Sequence, residues 1–307
     1  MRIAVMGAGG VGGYFGAKLA AAGHDVAFIA RGRHLAAMRE RGLLIRSALG
    51  DIHIAQPRVS DNAETIEPVD VVLFAVKLWD TEAAAAQCAA LVRGGGVVIP
   101  FQNGVESIER IAAVLGAEHV MGGVAFIAAT IAEPGVIAHT GTMARLRVGA
   151  TQPSQQAAAE AFGAACREAR IDVDVVADIQ AALWAKFAFL SAMSGMTSIS
   201  RQPVGVIRSD PDMRAVFEAA IRETWTLARA RGIALPDDYV SQQLAFADGL
   251  PHEMTSSMAN DLAAGNRLEA PWLAGGVARM SKESQLDAPV NATIYAALKP
   301  YCNGTPR

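Results

Sequence analysis

Residues Met1–Gly16 (MRIAVMGAGGVGGYFG) constrain this chain more than any other stretch. The short apolar run Ile3–Met6 reads as a buried strand, and it feeds directly into Gly7-x-Gly9-x-x-Gly12. A helical pattern from Tyr14 to Ala22 follows. In a strand–turn–helix unit of this kind the first glycine permits the tight turn and the second lets backbone approach a pyrophosphate. The third lets the helix pack closely on the strand, and the helix N-terminus supplies N–H donors and a favourable dipole. The glycine spacing alone is a weak signal; its position between a strand and a helix, with a second strand behind, is the context that supports it. A secretory leader would not carry this density of glycine, and no small-residue cleavage site follows a basic start.

With 307 residues the chain is long enough for two domains. Hydrophobic residues make up 52% and charged residues 19%, a globular balance. Every apolar run is broken by Gly, Pro or charge before the roughly 18 residues of a membrane span, so no membrane association is expected. The formal charge of −3 gives no electrostatic case for nucleic acid. Cys88, Cys166 and Cys302 are isolated, which suggests reduced thiols in a cytoplasmic protein. The six histidines are scattered, and no metal site is expected.

The first half alternates β-rich runs with helical stretches, the pattern of a parallel sheet covered by helices. Strands are expected at Ile3–Met6, Asp25–Ala30, Val69–Val76 and Gly96–Pro100, with a helix at Thr81–Leu91. Val120–Thr130 and Val136–His139 flank the turn Glu133-Pro134-Gly135, and Arg145–Val148 reads as a further short strand. A helix at Gln155–Ala169 and a last strand at Ile171–Val176 follow. From Asp178 strand-like runs vanish. Helical periodicity takes over at Ile179–Ser198, Pro211–Arg231, Tyr239–Ala247, Ser257–Ala264, Trp272–Gln285 and Val290–Leu298. The expected architecture is α/β: a Rossmann-type dinucleotide-binding domain over 1–177, then an all-helical domain over 178–307 that carries substrate and catalytic residues.

The residue at the end of the second strand of such a fold chooses the cofactor: a carboxylate holds the ribose of NAD, an arginine accepts the 2′-phosphate of NADP. Here the strand runs into Arg31-Gly32-Arg33-His34 with no acid at its end, which points to NADP(H) and to Arg31. Lys77 and Asn103 follow two later apolar runs, beyond strand ends where open α/β sheets bind ligands. Taken singly, Lys77 could be a solvated strand terminus and Asn103-Gly104 a turn. Together they favour a floor for cofactor and substrate.

These segments and several later ones resemble the ketopantoate reductase (2-dehydropantoate 2-reductase) family over essentially the whole chain. The resemblance rests on the first 32 residues, AVK ending at Lys77, QNG at Gln102–Gly104 and GGVAFIAATIAEPGVIAHTG at Gly122–Gly141. It continues through ALWAKF around Lys186, SSMANDL at Ser256–Leu262 and RLE ending at Glu269. It implies NADPH-dependent reduction of a 2-oxo acid, ketopantoate first, to (R)-pantoate in pantothenate biosynthesis, with the active site in a cleft between the domains. The turn Gly7-Ala8-Gly9-Gly10-Val11-Gly12 would cradle the pyrophosphate. Lys186 matches the family's general acid, a lysine opening the first helix of the second domain. Glu269 matches the carboxylate that orients it and contacts the cofactor. On the residues alone the better reading of Lys186 is a lysine snorkelling from an amphipathic helix. Ser257 and Asp261 match a serine and an aspartate of the substrate pocket; alternatively Ser257 is a helix N-cap and Asp261 a solvated helix residue.

The chain also departs from the family. Many members place asparagines four and eight residues after the lysine to hold the substrate's polar groups; here those positions are Leu190 and Ser194, of which Ser194 retains a polar group for substrate. Pro271 and Ala274 replace a usual aspartate and asparagine. A lost hydrogen bond to a charged substrate group costs about 1.5–3 kcal/mol. Two alternatives therefore stay open: a reductase of a different 2-oxo acid, or a non-catalytic NADP(H)-binding regulatory protein. The alanine- and methionine-rich helices could pack a homodimer as readily as a core.

Overall fold

The computed structural model describes residues 1–305. By their contacts they form two units, Met1–Gln102 with Glu106–Ile179, and Asn103–Val105 with Gln180 onward. The first unit contains, in chain order, β1 (Arg2–Met6), α1 (Gly10–Ala21), β2 (Asp25–Ile29), α2 (Gly32–Arg41), β3 (Leu43–Ser47), β4 (Ile52–Ile54) and β5 (Arg58–Ser60). There follow β6 (Val71–Phe74), α3 (Thr81–Leu91), β7 (Val97–Pro100), α4 (Ser107–Leu115), β8 (Gly122–Glu133), β9 (Val136–Gly149), α5 (Gln156–Glu168) and β10 (Asp172–Val175).

One sheet is wholly parallel with strand order β5-β2-β1-β6-β7. The unalternating apolar runs of β6 and β7 are buried along their whole length, as central parallel strands require. The chain leaves β1 first toward β2 and later returns on the other side with β6. The order therefore reverses at β1, and the open crevice of such a sheet lies beyond its carboxyl end.

A second sheet is built on β9, which pairs antiparallel with β8 along most of its length and parallel with β3 and β10; β4 extends β3 antiparallel. Helix α1 touches both sheets, and its glycines make this geometry feasible. A side chain at Gly12 or Gly16 would press on Val5 and, at Gly16, on Phe28 of the parallel sheet. A side chain at Gly10 would overlap the Ala129 carbonyl of β8, and one at Gly13 the Ile137 side chain of β9. His34 ties the same region together: its Nε2 donates to the Ala8 carbonyl (2.9 Å), and its Nδ1 accepts from Gly135 N–H (3.0 Å). That pattern requires the neutral ring, and burial lowers the His34 pKa below its usual value.

The second unit is helical throughout: α6 (Ile179–Ser200, whose first residue closes the first unit), α7 (Val204–Ser209), α8 (Pro211–Ala230), α9 (Tyr239–Asp248), α10 (Ser257–Ala263), α11 (Ala274–Glu283) and α12 (Pro289–Leu298). Glu223 of α8 caps α12 from the side, accepting from the backbone of Val290 (2.8 Å) and Asn291 (2.9 Å) and from the Asn291 amide (2.7 Å). Among the described residues no helix is long and apolar enough to cross a membrane.

Several sequence expectations need correction. Val136–His139 and Arg145–Val148 are the two ends of one strand, β9, whose exposed middle (140–143) lacks apolar alternation and bulges out of the β8 pairing, where the register jumps from Ala144 opposite Ile127 to His139 opposite Ala129. Strands β3, β4 and β5 and helices α2, α4 and α7 were not expected; the strands are short and largely half-exposed, and α2 is rich in charge. Residues 272 and 273 precede α11 rather than opening it.

Two predictions follow from this packing. Gly10→Ala is expected to lower stability by about 1–3 kcal/mol, because the obstructing atom is backbone. Gly9→Ala, with nothing within 4 Å of the added Cβ, should cost less than about 1 kcal/mol. Chemical denaturation of both variants checks this, and equal losses would contradict it. Second, unfolding releases His34 to take up a proton below about pH 6.5, its ordinary value, while the folded chain resists protonation to lower pH. Stability should therefore fall as pH drops through this window and be insensitive to His34 above it. The melting temperature of His34→Gln should show a shallower acid slope than wild type between about pH 7 and pH 5; parallel slopes would refute the assignment.

Candidate active site

The first unit presents a nucleotide cradle. Gly7 has φ +93°, a conformation open to glycine, and a side chain there would lie 2.9 Å from the Val76 backbone nitrogen. Gly9 is the N-cap of α1 with no side-chain cap, so the N–H groups of Gly10, Val11 and Gly12 begin the helix without intrahelical acceptors. The open space over Gly9 and these donors fit an anionic pyrophosphate. Ala8 is committed to the turn itself: its N–H donates to the Ile29 carbonyl (3.1 Å) and its carbonyl accepts from His34.

Around the cradle, Arg31 is the N-cap residue of α2 just past β2, and it is exposed. Lys77 lies three residues beyond β6 rather than closing it, and its Nζ stands 5.7 Å from the centre of the Trp79 ring. The loop carrying Lys77 is tightly fixed. Gln102 Nε2 donates to the Val76 carbonyl (2.9 Å) and to Thr81 Oγ1 (3.0 Å). The Leu78 carbonyl accepts from Thr81 Oγ1 (2.8 Å) and Arg110 (3.0 Å). Sequence reasoning passed over Gln102, though it stands beside Asn103; its one legible signal was a polar residue directly after a buried strand.

The second unit brings Lys186, Asn103 and Glu269 together. Lys186 Nζ donates to Asn103 Oδ1 (3.1 Å), and Asn103 Nδ2 donates to Glu269 Oε2 (3.3 Å). Glu269 is buried. Burial lowers the Lys186 pKa to about 8, and the Glu269 charge opposes the shift. Lys186 sits two turns into α6, not at its opening. Its helix is held one residue earlier, where the Tyr239 hydroxyl donates to the Ala185 carbonyl. Burial raises the Tyr239 pKa, so that hydroxyl stays a donor. Trp184 and Phe187 meet edge to face at 5.6 Å, and Phe189 packs against Phe217 and Phe246.

One and two turns beyond Lys186 on the same face of α6, Leu190 is half-buried and Ser194 is fully buried with a hydroxyl that has no hydrogen-bond partner. Ser257 is exposed and is the first residue of α10; the N-cap is Ser256, which accepts from Ala259 N–H (3.0 Å) and contacts Thr197 Oγ1 (2.8 Å). Asp261 Oδ1 accepts from Asn266 (3.1 Å), which ties it to the loop after α10. The structure thus gathers Lys186, Asn103 and Glu269 into one cluster, while Ser257 and Asp261 stand on α10.

The chain matches two family models, ketopantoate reductase PanE/ApbA over residues 3–153 and its C-terminal counterpart over residues 178–301. It is 30% identical to an uncharacterized oxidoreductase, YkpB, of Bacillus subtilis, covering 98% of this chain and 99% of that protein. It is also 30% identical to a 2-dehydropantoate 2-reductase of Archaeoglobus fulgidus, over 95% of each chain. The crystal structure of a 2-dehydropantoate 2-reductase from Geobacter metallireducens superposes with a TM-score of 0.91 at 30% identity, over 97% of this chain and 99% of that one. The chain is an enzyme, an oxidoreductase using a nicotinamide dinucleotide, and it belongs to the ketopantoate reductase family.

Proposed function

We propose that this enzyme reduces 2-dehydropantoate (ketopantoate) to (R)-pantoate with NADPH, in pantothenate biosynthesis. The observation that carries the reading is the Lys186–Asn103–Glu269 chain: a buried ammonium whose pKa is brought to about 8 and whose orientation is set by an amide between it and a carboxylate. When bound, the reduced nicotinamide supplies a hydride. The residues of this chain do the rest. The N-terminus of α1 holds the pyrophosphate over Gly9, Arg31 takes the 2′-phosphate, and Lys77 lies toward the ribose. The Lys186 ammonium polarises the ketone and donates its proton to the oxygen as charge develops there. A pKa near 8 suits both tasks, since the group is charged at neutral pH yet gives up its proton more readily than a solvated lysine. Glu269 favours the charged form and, through Asn103, aims it.

A second substrate is favoured by one observation. Leu190 follows Lys186 by one helical turn and offers no hydrogen bond, so a bulkier and less polar 2-oxo acid suits that position better than ketopantoate does.

A steady-state panel of 2-oxo acids with NADPH and NADH tests the reading. Ketopantoate is expected to be reduced with NADPH preferred. The rate of kcat/KM should fall above about pH 8, because deprotonation removes the acid. Lys186→Ala should lose about 100-fold or more in kcat while still binding NADPH. If no 2-oxo acid supports NADPH oxidation, the reading is wrong. In the same assay, Leu190→Asn is expected to raise kcat/KM for ketopantoate on the order of tenfold if the lost contact limits it. No gain, together with faster turnover of a less polar 2-oxo acid by wild type, would select the second substrate.

A further inference from the structure

Two exposed side chains meet across the nucleotide cradle. Strands β2 and β6 are the two neighbours of β1, one on each side. Arg31 stands just past the end of β2 and Asp80 at the start of α3, beyond β6. Their side chains approach to 3.7 Å, Arg31 Nη1 to Asp80 Oδ2, so the ion pair spans the end of β1 where the Gly7–Gly12 turn begins. Neither side chain is used as a helix cap.

The partners differ in freedom. Asp80 is short and sits on the loop that Gln102, Thr81 and Arg110 fix by hydrogen bonds. Arg31 is long and 57% exposed along its side chain, so it can turn away while Asp80 cannot follow. Resting on the dinucleotide reading above, the geometry points to Asp80 as a specificity-determining residue. It holds Arg31 in the cofactor-free chain and competes with the adenosine 2′-phosphate for the same guanidinium.

A cofactor with a 2′-phosphate must draw Arg31 off Asp80. A cofactor with a plain 2′-hydroxyl leaves the pair in place. Preference for NADPH is then the difference between two anions bidding for one cation, not a property of Arg31 alone. Because the pair is exposed, the effect is modest and weakens with salt.

The test is a set of fluorescence titrations with NADPH and NADH on wild type, Asp80→Asn, Arg31→Gln and the double variant, with melting temperatures as a check on folding. Asp80→Asn is expected to tighten NADPH about two- to fivefold at low salt, to leave NADH unchanged, and to lose most of this effect at high salt. In the Arg31→Gln background the gain should shrink, because the competition is gone. Four results would overturn the inference: no tightening of NADPH, equal tightening of both cofactors, weaker NADH binding (a carboxylate bonding the ribose), or an undiminished gain without Arg31. Wild type binding neither cofactor would instead bring down the dinucleotide reading, and the inference with it.

Discussion

Helix α1 can lie between two sheets only because the faces it turns to them carry so little side chain. Gly12 and Gly16 admit the parallel sheet, and Gly10 and Gly13 admit the strands of the second one. Dispersion falls off steeply with distance, so close approach on both sides gives the helix a packed setting that larger residues would prop open. That setting fixes where the N-terminus of α1 points, and His34 adds a polar tie from the turn to the β8–β9 hairpin. The glycine-rich turn is thus a packing device as well as a candidate phosphate cradle.

In the second unit the governing problem is electrostatic. An ammonium taken out of water tends to lose its proton, and burial lowers the Lys186 pKa to about 8. Glu269 limits the loss, and the Asn103 amide is hydrogen-bonded to both groups.

The sequence was most legible where pattern and packing coincide. The buried strands β1, β2, β6 and β7 read clearly because both of their faces are apolar, and α3 matches its expected bounds. Strand β9 read as two pieces because its exposed middle bulges out of register with β8 and lacks apolar alternation, while both ends stay paired. Strands β3 to β5 are short, and helix α2 is masked by charge. In the site, the glycine turn and Arg31 came from spacing and chemistry. Lys186 and Glu269 came from family resemblance, since a lysine on an apolar helix has a common structural explanation. Tyr239 and Asp80 were not legible at all, and Gln102 only as a polar residue following a buried strand: each acts on a partner distant in sequence, and only folding brings the two together.

The amide of Asn103 also has a chemical lifetime. Lys186 can only donate and Glu269 in its charged form can only accept, so the amide has one permitted orientation. Its successor is Gly104, with φ +85° and no side chain to shield the peptide nitrogen that attacks an asparagine amide during deamidation. Conversion of Asn103 to aspartate would remove the donor facing Glu269 and set a second carboxylate beside it. The two acids would then compete for protons, and the ammonium would be held more tightly in its charged form. The residue bonded to both Lys186 and Glu269 is therefore also the point at which this cluster can age without any change in its gene.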